Sequence, residues 1–156
     1  MVEEVEVAGP PTSLHVRAAG WAEAAVLLAP DDGWVTAPNG ARARAEVGED
    51  GSLQVDVHCG PVLDEVVLRS YCVGAAHMAL GWVRHEALTM AADGTPLDLT
   101  IRSFGVVRAV DTPRLEVAVH DGDGEPVNGS DAVFAAVALA VWRHDGFVAR
   151  WPTMRT

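Results

Sequence analysis

The sequence contains no lysine, and all eleven of its basic residues are arginine. Without a lysine amine the chain cannot form a Schiff base with a carbonyl substrate, and it cannot supply the lysine of a phosphate-binding P-loop. Acidic residues outnumber basic ones, and the formal net charge is −11. Since this charge repels a phosphate backbone, we expect no nucleic-acid partner.

Cysteine is also scarce. Cys59 and Cys72 are the two cysteines, and they match neither a zinc-site spacing nor a CxxC motif. They are therefore predicted to be buried thiols, with no metal site. The first residues are acidic and lack the basic and apolar segments of a signal peptide, and the apolar runs are short for a bilayer. The sequence thus predicts a soluble, cytoplasmic protein with no membrane partner.

Apolar residues are abundant, at 49% of the 156 residues. A chain of this length and composition is expected to form one domain with a hydrophobic core. In residues 1–39 the alternation at Val5 and Val7, and again at Leu14, Val16 and Ala18, predicts two strands of uncertain pairing. Residues 23–29 fit either a strand or a short helix.

The remainder of the chain has a clearer pattern. A β-hairpin is predicted over residues 41–57, a helix over residues 63–83, and a second hairpin over residues 87–101. A further strand is expected at residues 115–119, followed by an alanine-rich helix that Ser130 would cap. These elements predict an α+β fold, with a largely antiparallel sheet and two main helices.

Several short motifs follow one another in residues 40–152. They are Ala45-Glu46-Val47, Val55-Asp56-Val57-His58-Cys59-Gly60, the segment from Gly74 to Gly81, Glu86-Ala87-Leu88, Asp93-Gly94, Thr112-Pro113, Gly124-Glu125-Pro126 and Asp131-Ala132-Val133-Phe134-Ala135-Ala136. In this order the region resembles the C-terminal part of the second molybdopterin-binding domain of the xanthine dehydrogenase and aldehyde oxidase large subunit. The resemblance divides the single domain, residues 1–156, into an N-terminal part (1–39) and a xanthine-dehydrogenase-like region (40–152).

The resemblance implies a general-base role for Glu125, because the glutamate of the family's Gly-Glu motif takes a proton from a molybdenum-bound hydroxyl. The family's pterin-contacting glutamine falls near Ala76 or His77, and its other pterin-binding loops have no counterpart in this sequence. We therefore expect no bound cofactor. The alternative is a molybdopterin shared with a larger partner subunit.

The favoured interpretation is a cofactor-free enzyme of the cyclase or isomerase type, which acts on a small organic substrate in natural-product, for example polyketide, biosynthesis of a bacterium. Its catalytic residues would be Glu125, His77 and Tyr71. Tyr71 is the single tyrosine and would serve as a phenolic acid. The expected pocket residues are Gly124, His120, Trp82 and Asn128, with a proton relay from His120 to Glu125.

Two other interpretations remain open at this point. The chain could be the small subunit of a split molybdenum hydroxylase, in which Glu125 completes the active site at the interface with the larger subunit. It could also be a structural remnant without catalysis. The alanine-rich helix would suit either a packed core or an interface between copies in a homo-oligomer.

Overall fold

A computed structural model describes residues 14–98 and 100–154. The predicted first strand around Val5 and Val7 lies outside these residues. The described chain combines helices with one mixed sheet and a small hairpin; in chain order its elements are α1 (Leu14–Leu27), β1 (Val35–Thr36), β2 (Arg42–Val47), β3 (Leu53–His58), α2 (Glu65–Arg84), β4 (Thr89–Met90), β5 (Pro96–Asp98), α3 (Ile101–Phe104), a 3-10 turn (Ala109–Asp111), β6 (Leu115–His120) and α4 (Ser130–His144).

The strand predicted at Leu14, Val16 and Ala18 is wrong, because this segment forms the first turns of α1. The short alternation there is followed by an alanine-rich run, and alanine has the highest helix propensity. Ala22 and Val26 are buried one turn apart, and α1 packs against α4. Tertiary packing of this apolar side therefore decides in favour of the helix.

The main sheet has the strand order β1-β2-β3-β6. The predicted hairpin of β2 and β3 is confirmed, with Ala43 opposite Val57 and Ala45 opposite Val55. β6 pairs with β3 in parallel, so one of the three pairings departs from the antiparallel pattern. A parallel pair needs a crossover connection, and α2 lies between β3 and β6 in the sequence.

The core lies between one face of this sheet and the two long helices α2 and α4. Alternate residues of β3 point into it: Leu53, Val55 and Val57 are buried, whereas Gln54 and His58 are exposed. Small side chains line the buried part of α4, which allows the helix to pack closely on β2 and α2. The predicted α+β class is confirmed, with α1 as a third long helix.

Asp64 and Asn128 set the starts of α2 and α4. The Asp64 carboxylate accepts a hydrogen bond from the Val67 backbone N–H at 3.0 Å, as an N-cap residue does. Ser130, which was expected to cap α4, is instead its first residue. The side-chain oxygen of Asn128 accepts from the Ser130 N–H at 2.8 Å, so the polar group that orders this helix start lies two residues earlier.

α2 has the length and apolar composition of a membrane-spanning helix, although the apolar runs of the sequence looked too short for that. Much of this composition is explained within the domain. Cys72, Ala76 and Leu80 are buried in the core against α4. A second set of apolar residues on the opposite side of α2 is exposed; it comprises Val66, Val67, Tyr71, Val73 and Met78.

Candidate functional site

Glu125 lies in the loop that connects β6 and α4, and contacts of the loop backbone hold this loop in place. The Val127 N–H donates to the Cys59 carbonyl at 3.0 Å, and the Asn39 side-chain amide donates to the Asn128 carbonyl at 2.8 Å. Gly60 has a φ of +71°, and a Cβ at this position would lie 2.4 Å from the Glu125 carbonyl oxygen. The backbone at Glu125 is thus fixed against the end of β3, while its side chain is exposed.

An open groove of about 230 Å³ lies beside this loop. α2 and the segment before it form one wall, and the loop forms the other; the lining residues are Pro61, Leu63, Asp64, Val67, Leu68, Tyr71, Pro126, Val127 and Asn128. Most of them are apolar. The Asp64 carboxylate is already used by the helix cap, and the Asn128 oxygen by Ser130. No hydrogen bond joins the Tyr71 hydroxyl to another residue of the described chain.

The structure brings four of the predicted site residues to this region. Tyr71 and Asn128 line the groove directly. Gly124 and Glu125 immediately precede Pro126, which is part of the groove wall, and the side chain of Glu125 is exposed to solvent there. The groove therefore offers an apolar surface with the phenol of Tyr71 on one side, and Glu125 is the residue next to its loop wall.

His77 lies on another side of α2 and does not join Tyr71. They are six positions apart, so their side chains do not project from the same face of the helix. The Nδ1 atom of His77 lies 2.9 Å from the Thr112 hydroxyl oxygen. His77 also interacts electrostatically with Glu86. Burial raises the pKa of the Glu86 carboxyl, and His77 partly offsets that increase.

Trp82 belongs to a different groove, of about 250 Å³, between α1 and the C-terminal segment. Its ring meets the ring of Trp151 edge-on, with 4.7 Å between centroids, and lies 5.2 Å from the ring of Phe134. Trp142 and Val26 also line this groove. These contacts are those of an aromatic cluster at the edge of the core, on a different surface from Glu125.

His120 has a different partner from the one expected. Its Nε2 atom lies 2.8 Å from an oxygen of Asp56, and its ring stacks on that of His58 with 4.6 Å between centroids and 17° between planes. Sequence reasoning treated Asp56 and His58 as parts of a family motif and missed their role here. The signal was present, because both are outward positions in the alternation of β3, and His120 is the last residue of β6.

The two cysteines are buried, as predicted, beside the start of α4. A Cβ at Gly129 would lie 2.6 Å from the sulfur of Cys59 and 3.4 Å from that of Cys72. Burial raises the pKa of both thiols, that of Cys72 to about 11, with the neighbouring Cys59 adding to the effect. Thiols in this state are poor nucleophiles at neutral pH.

The acidic loop that follows β6 is held in place by one of its own carboxylates. The Asp121 side chain accepts a hydrogen bond from the Val62 N–H at 2.9 Å, which ties the loop to the segment after β3. Within residues 14–98 and 100–154, no group of three or more His, Cys, Asp or Glu side chains is arranged to hold a metal ion.

The described residues by themselves do not suit a molybdopterin. A pterin with its phosphate needs several hydrogen-bond donors, preferably cationic, around one cavity. Ala76, at one position that corresponds to the family's glutamine, is completely buried, and His77 is bonded to Thr112. No arginine lines the groove beside Glu125. Donors for such a group would have to come from another chain or another segment.

Solved structures that this fold resembles include an oxidoreductase and a molybdenum-containing dehydrogenase. Quinoline 2-oxidoreductase from Pseudomonas putida 86 matches 68% of this chain, with a TM-score of 0.52 and 13% identity. The Cu,Mo-CO dehydrogenase in its carbon-monoxide-reduced state matches 66%, with a TM-score of 0.55 and 16% identity. The matched regions cover 16% and 15% of those chains, so this chain corresponds to a small part of each.

No family model and no curated protein matches the sequence. The likeness is therefore one of fold, and it agrees with the fold expected from the resemblance described above. The protein has the fold of a part of the large molybdenum-containing hydroxylases.

Proposed function

We propose that the protein is a cofactor-independent enzyme that isomerises, cyclises or rearranges a small, largely apolar organic substrate. The observation that carries this proposal is the loop of Gly124-Glu125-Pro126, which close backbone contact with Gly60 fixes beside an apolar groove. A carboxylate on a fixed backbone beside an apolar surface can move a proton of a substrate that the surface orients, without a metal.

The groove suggests a division of roles. The apolar body of the substrate would lie against Leu63, Val67 and Pro126. The Glu125 carboxylate would take a proton from carbon, and the Tyr71 hydroxyl would donate a hydrogen bond to a substrate oxygen as negative charge develops there. Glu125 would then return the same proton to a different atom of the substrate. The product therefore has the elemental composition of the substrate.

His77 is left out of this mechanism, since Thr112 is its partner on another side of α2. A bound substrate would cover the open groove and exclude water from the carboxylate. Ring closure and rearrangement of polyketide-like intermediates are reactions of this kind, which is why we place the enzyme in natural-product biosynthesis.

A second candidate function is that of a small subunit in a split molybdenum hydroxylase. Two observations favour it. The chain corresponds to 15–16% of the length of the enzymes it resembles, and the outer side of α2 next to the groove is apolar and exposed. In that arrangement a larger chain would cover α2 and hold the pterin, and Glu125 would face a site between the two subunits.

The substitution Glu125→Gln, made in the organism that expresses this protein, distinguishes the two candidate functions. Comparison of metabolites between wild type and Glu125→Gln should reveal an intermediate that accumulates and a product that is lost. Equal elemental composition of these two compounds supports the isomerase. A difference of one oxygen atom supports the hydroxylase and contradicts our proposal.

The matched control is Glu49→Gln, which removes an exposed carboxylate in the turn between β2 and β3. It should leave the metabolite profile unchanged. If Glu125→Gln also leaves it unchanged, Glu125 has no role in catalysis. Purification of the chain gives a second test, since a co-purifying large subunit with molybdenum would contradict the cofactor-independent function.

A further inference from the structure

The outer face of the main sheet carries a row of cationic and aromatic side chains. Arg42 of β2, His58 of β3 and His120 of β6 are direct neighbours in the register of the three strands. This is the face opposite the helices. The neighbouring residues along the strands, Ala43 and Val57, point to the other face and are completely buried in the core. The row lies at the carboxyl ends of β3 and β6.

Ring contacts hold the row together. Trp34 lies just before β1, and the guanidinium groups of Arg42 and Arg44 are 5.2 and 5.4 Å from its ring centroid. The ring of His58 is 5.4 Å from the same indole on one side and stacks on His120 on the other. Cation–π and stacking contacts of this type restrain side chains that would otherwise be mobile.

The charges of the face nearly cancel when its histidines are neutral. Asp56 binds His120 at 2.8 Å and Arg44 at 3.5 Å, and the hydrogen bond from His120 lowers the pKa of the Asp56 carboxyl against the opposing effect of burial. Glu46 lies 3.9 Å from Arg44. Farther along the face, Glu116 is paired with Arg114.

Arg42 has no acidic partner within ion-pair distance among the residues that the structure describes. Its five N–H donors therefore remain available at the edge of the row. Protonation of His58 or His120 adds positive charge beside it, and protonation of both stacked rings would bring two like charges together. An anion bound over the row would offset this repulsion between the two protonated rings.

We propose that Trp34, Arg42, His58 and His120 form a binding site for the oxyanion of a small acid, a carboxylate or a phosphate, and that a histidine takes up a proton as the anion binds. Arg42 would supply paired N–H donors, and the imidazoles would supply further donors once they are protonated. The site does not depend on the function proposed for Glu125.

Titration with sodium acetate and sodium sulfate, followed by NMR of the histidine ring protons at constant ionic strength in sodium chloride, tests this site. Neither probe changes its charge between pH 6 and pH 8. We expect saturable shifts of the His58 and His120 signals. Binding should be tighter at pH 6 by on the order of tenfold, because few histidine side chains are protonated at pH 8. Saturation by acetate alone indicates a carboxylate ligand, and saturation by sulfate alone indicates a phosphate-like one.

Two variants and a control complete the experiment. Arg42→Gln should weaken binding about tenfold, and His58→Asn should remove most of the pH dependence. Arg102→Gln, an exposed arginine on α3, should bind like the wild type. Circular dichroism checks that each variant is folded. Shifts that do not saturate, that chloride reproduces, or that are the same in Arg42→Gln and Arg102→Gln would overturn the proposal.

Discussion

Gly60 shows how one missing side chain allows a distant segment of backbone, at Glu125, to pack closely. Its φ of +71° is in the left-handed region, and its Cα faces the Glu125 carbonyl so closely that no Cβ fits. The sequence placed this glycine at the end of a strand but gave no indication of the contact, which joins residues far apart in the chain. The path of the backbone at Glu125 therefore depends on a glycine that has no side chain.

We predict that Gly60→Ala lowers the free energy of unfolding by about 1–3 kcal/mol more than Gly51→Ala does. Both glycines have positive φ, at +71° and +80°, so the backbone strain of alanine is matched. A Cβ at Gly51 meets nothing within 4 Å, so the difference measures the clash with the Glu125 carbonyl.

Urea unfolding of both variants gives the two values, and the NMR signals of residues 124–128 report movement of the loop. Equal destabilisation by the two substitutions would show that the loop does not press on Gly60 in solution.

At the scale of elements, α2 has two apolar sides in different environments. Val83 is completely buried, whereas Val66 on the same helix is 79% exposed. Clustered apolar side chains on a surface often mark a contact site, so the exposed apolar residues of α2 are a part of the described domain suited to a substrate or a second chain.

We expect Val83→Ala to cost about 2–3 kcal/mol of unfolding free energy, through lost burial and an unfilled cavity. Val66→Ala should change it by less than about 0.5 kcal/mol. Thermal or urea denaturation of the isolated chain measures both. A large loss of stability in Val66→Ala would mean that this side of α2 is covered within the isolated protein, for example by a second copy.

Some of these elements could be predicted from the sequence and others could not. Residues 41–57 alternate around a clear turn signal and residues 130–144 are rich in alanine, and they form the predicted hairpin and helix. α1 was misjudged, because a five-residue alternation is weaker evidence than the alanines that follow it. The parallel pairing of β3 and β6 was not predictable from local pattern, since a strand's own residues do not determine the direction of its neighbour.

The same limit applies to the candidate site. Tyr71 and Asn128 do meet around one groove, because α2 and the loop before α4 both border the end of β3. His77, His120 and Trp82 do not join them, and each has a partner that only the assembled fold provides: Thr112, Asp56 and Trp151. The sequence indicated candidate residues of a suitable chemical type, but it could not predict which residues they contact in the fold.

For the whole molecule, Arg84 and Asp145 connect the ends of the two main helices. They form a paired hydrogen bond with distances of 3.0 and 2.6 Å, and their side chains are 13% and 8% exposed. The Thr153 hydroxyl donates to the same carboxylate at 2.6 Å, so the C-terminal segment is attached at this point. Burial raises the pKa of Asp145, but the bonds from Arg84 and Thr153 outweigh it, and the net change is a decrease.

We predict that Asp145→Ala costs about 3–5 kcal/mol at pH 7, because it leaves a buried arginine without a partner. Asp111→Ala, which breaks the exposed pair with Arg108, should cost far less. Since the pKa of Asp145 is lower in the folded state, its contribution is present above its unfolded value of about 3.9 and is lost as pH falls through the folded value.

Urea unfolding at pH 7 and in strong acid measures this effect. The stability difference between wild type and Asp145→Ala should shrink in acid. A difference that is independent of pH would show that the carboxylate charge is not what stabilises the junction.

The segment between α2 and β6 has a consequence for how this protein changes over evolutionary time. Among residues 85–97 and 100–114, Val107 alone is buried, with 9% of its surface exposed, and the small hairpin of β4 and β5 lies outside the main sheet. Mutations, insertions and deletions there remove little from the core. We therefore expect this segment to tolerate change more readily than β3, β6 and α4, whose side chains form the core.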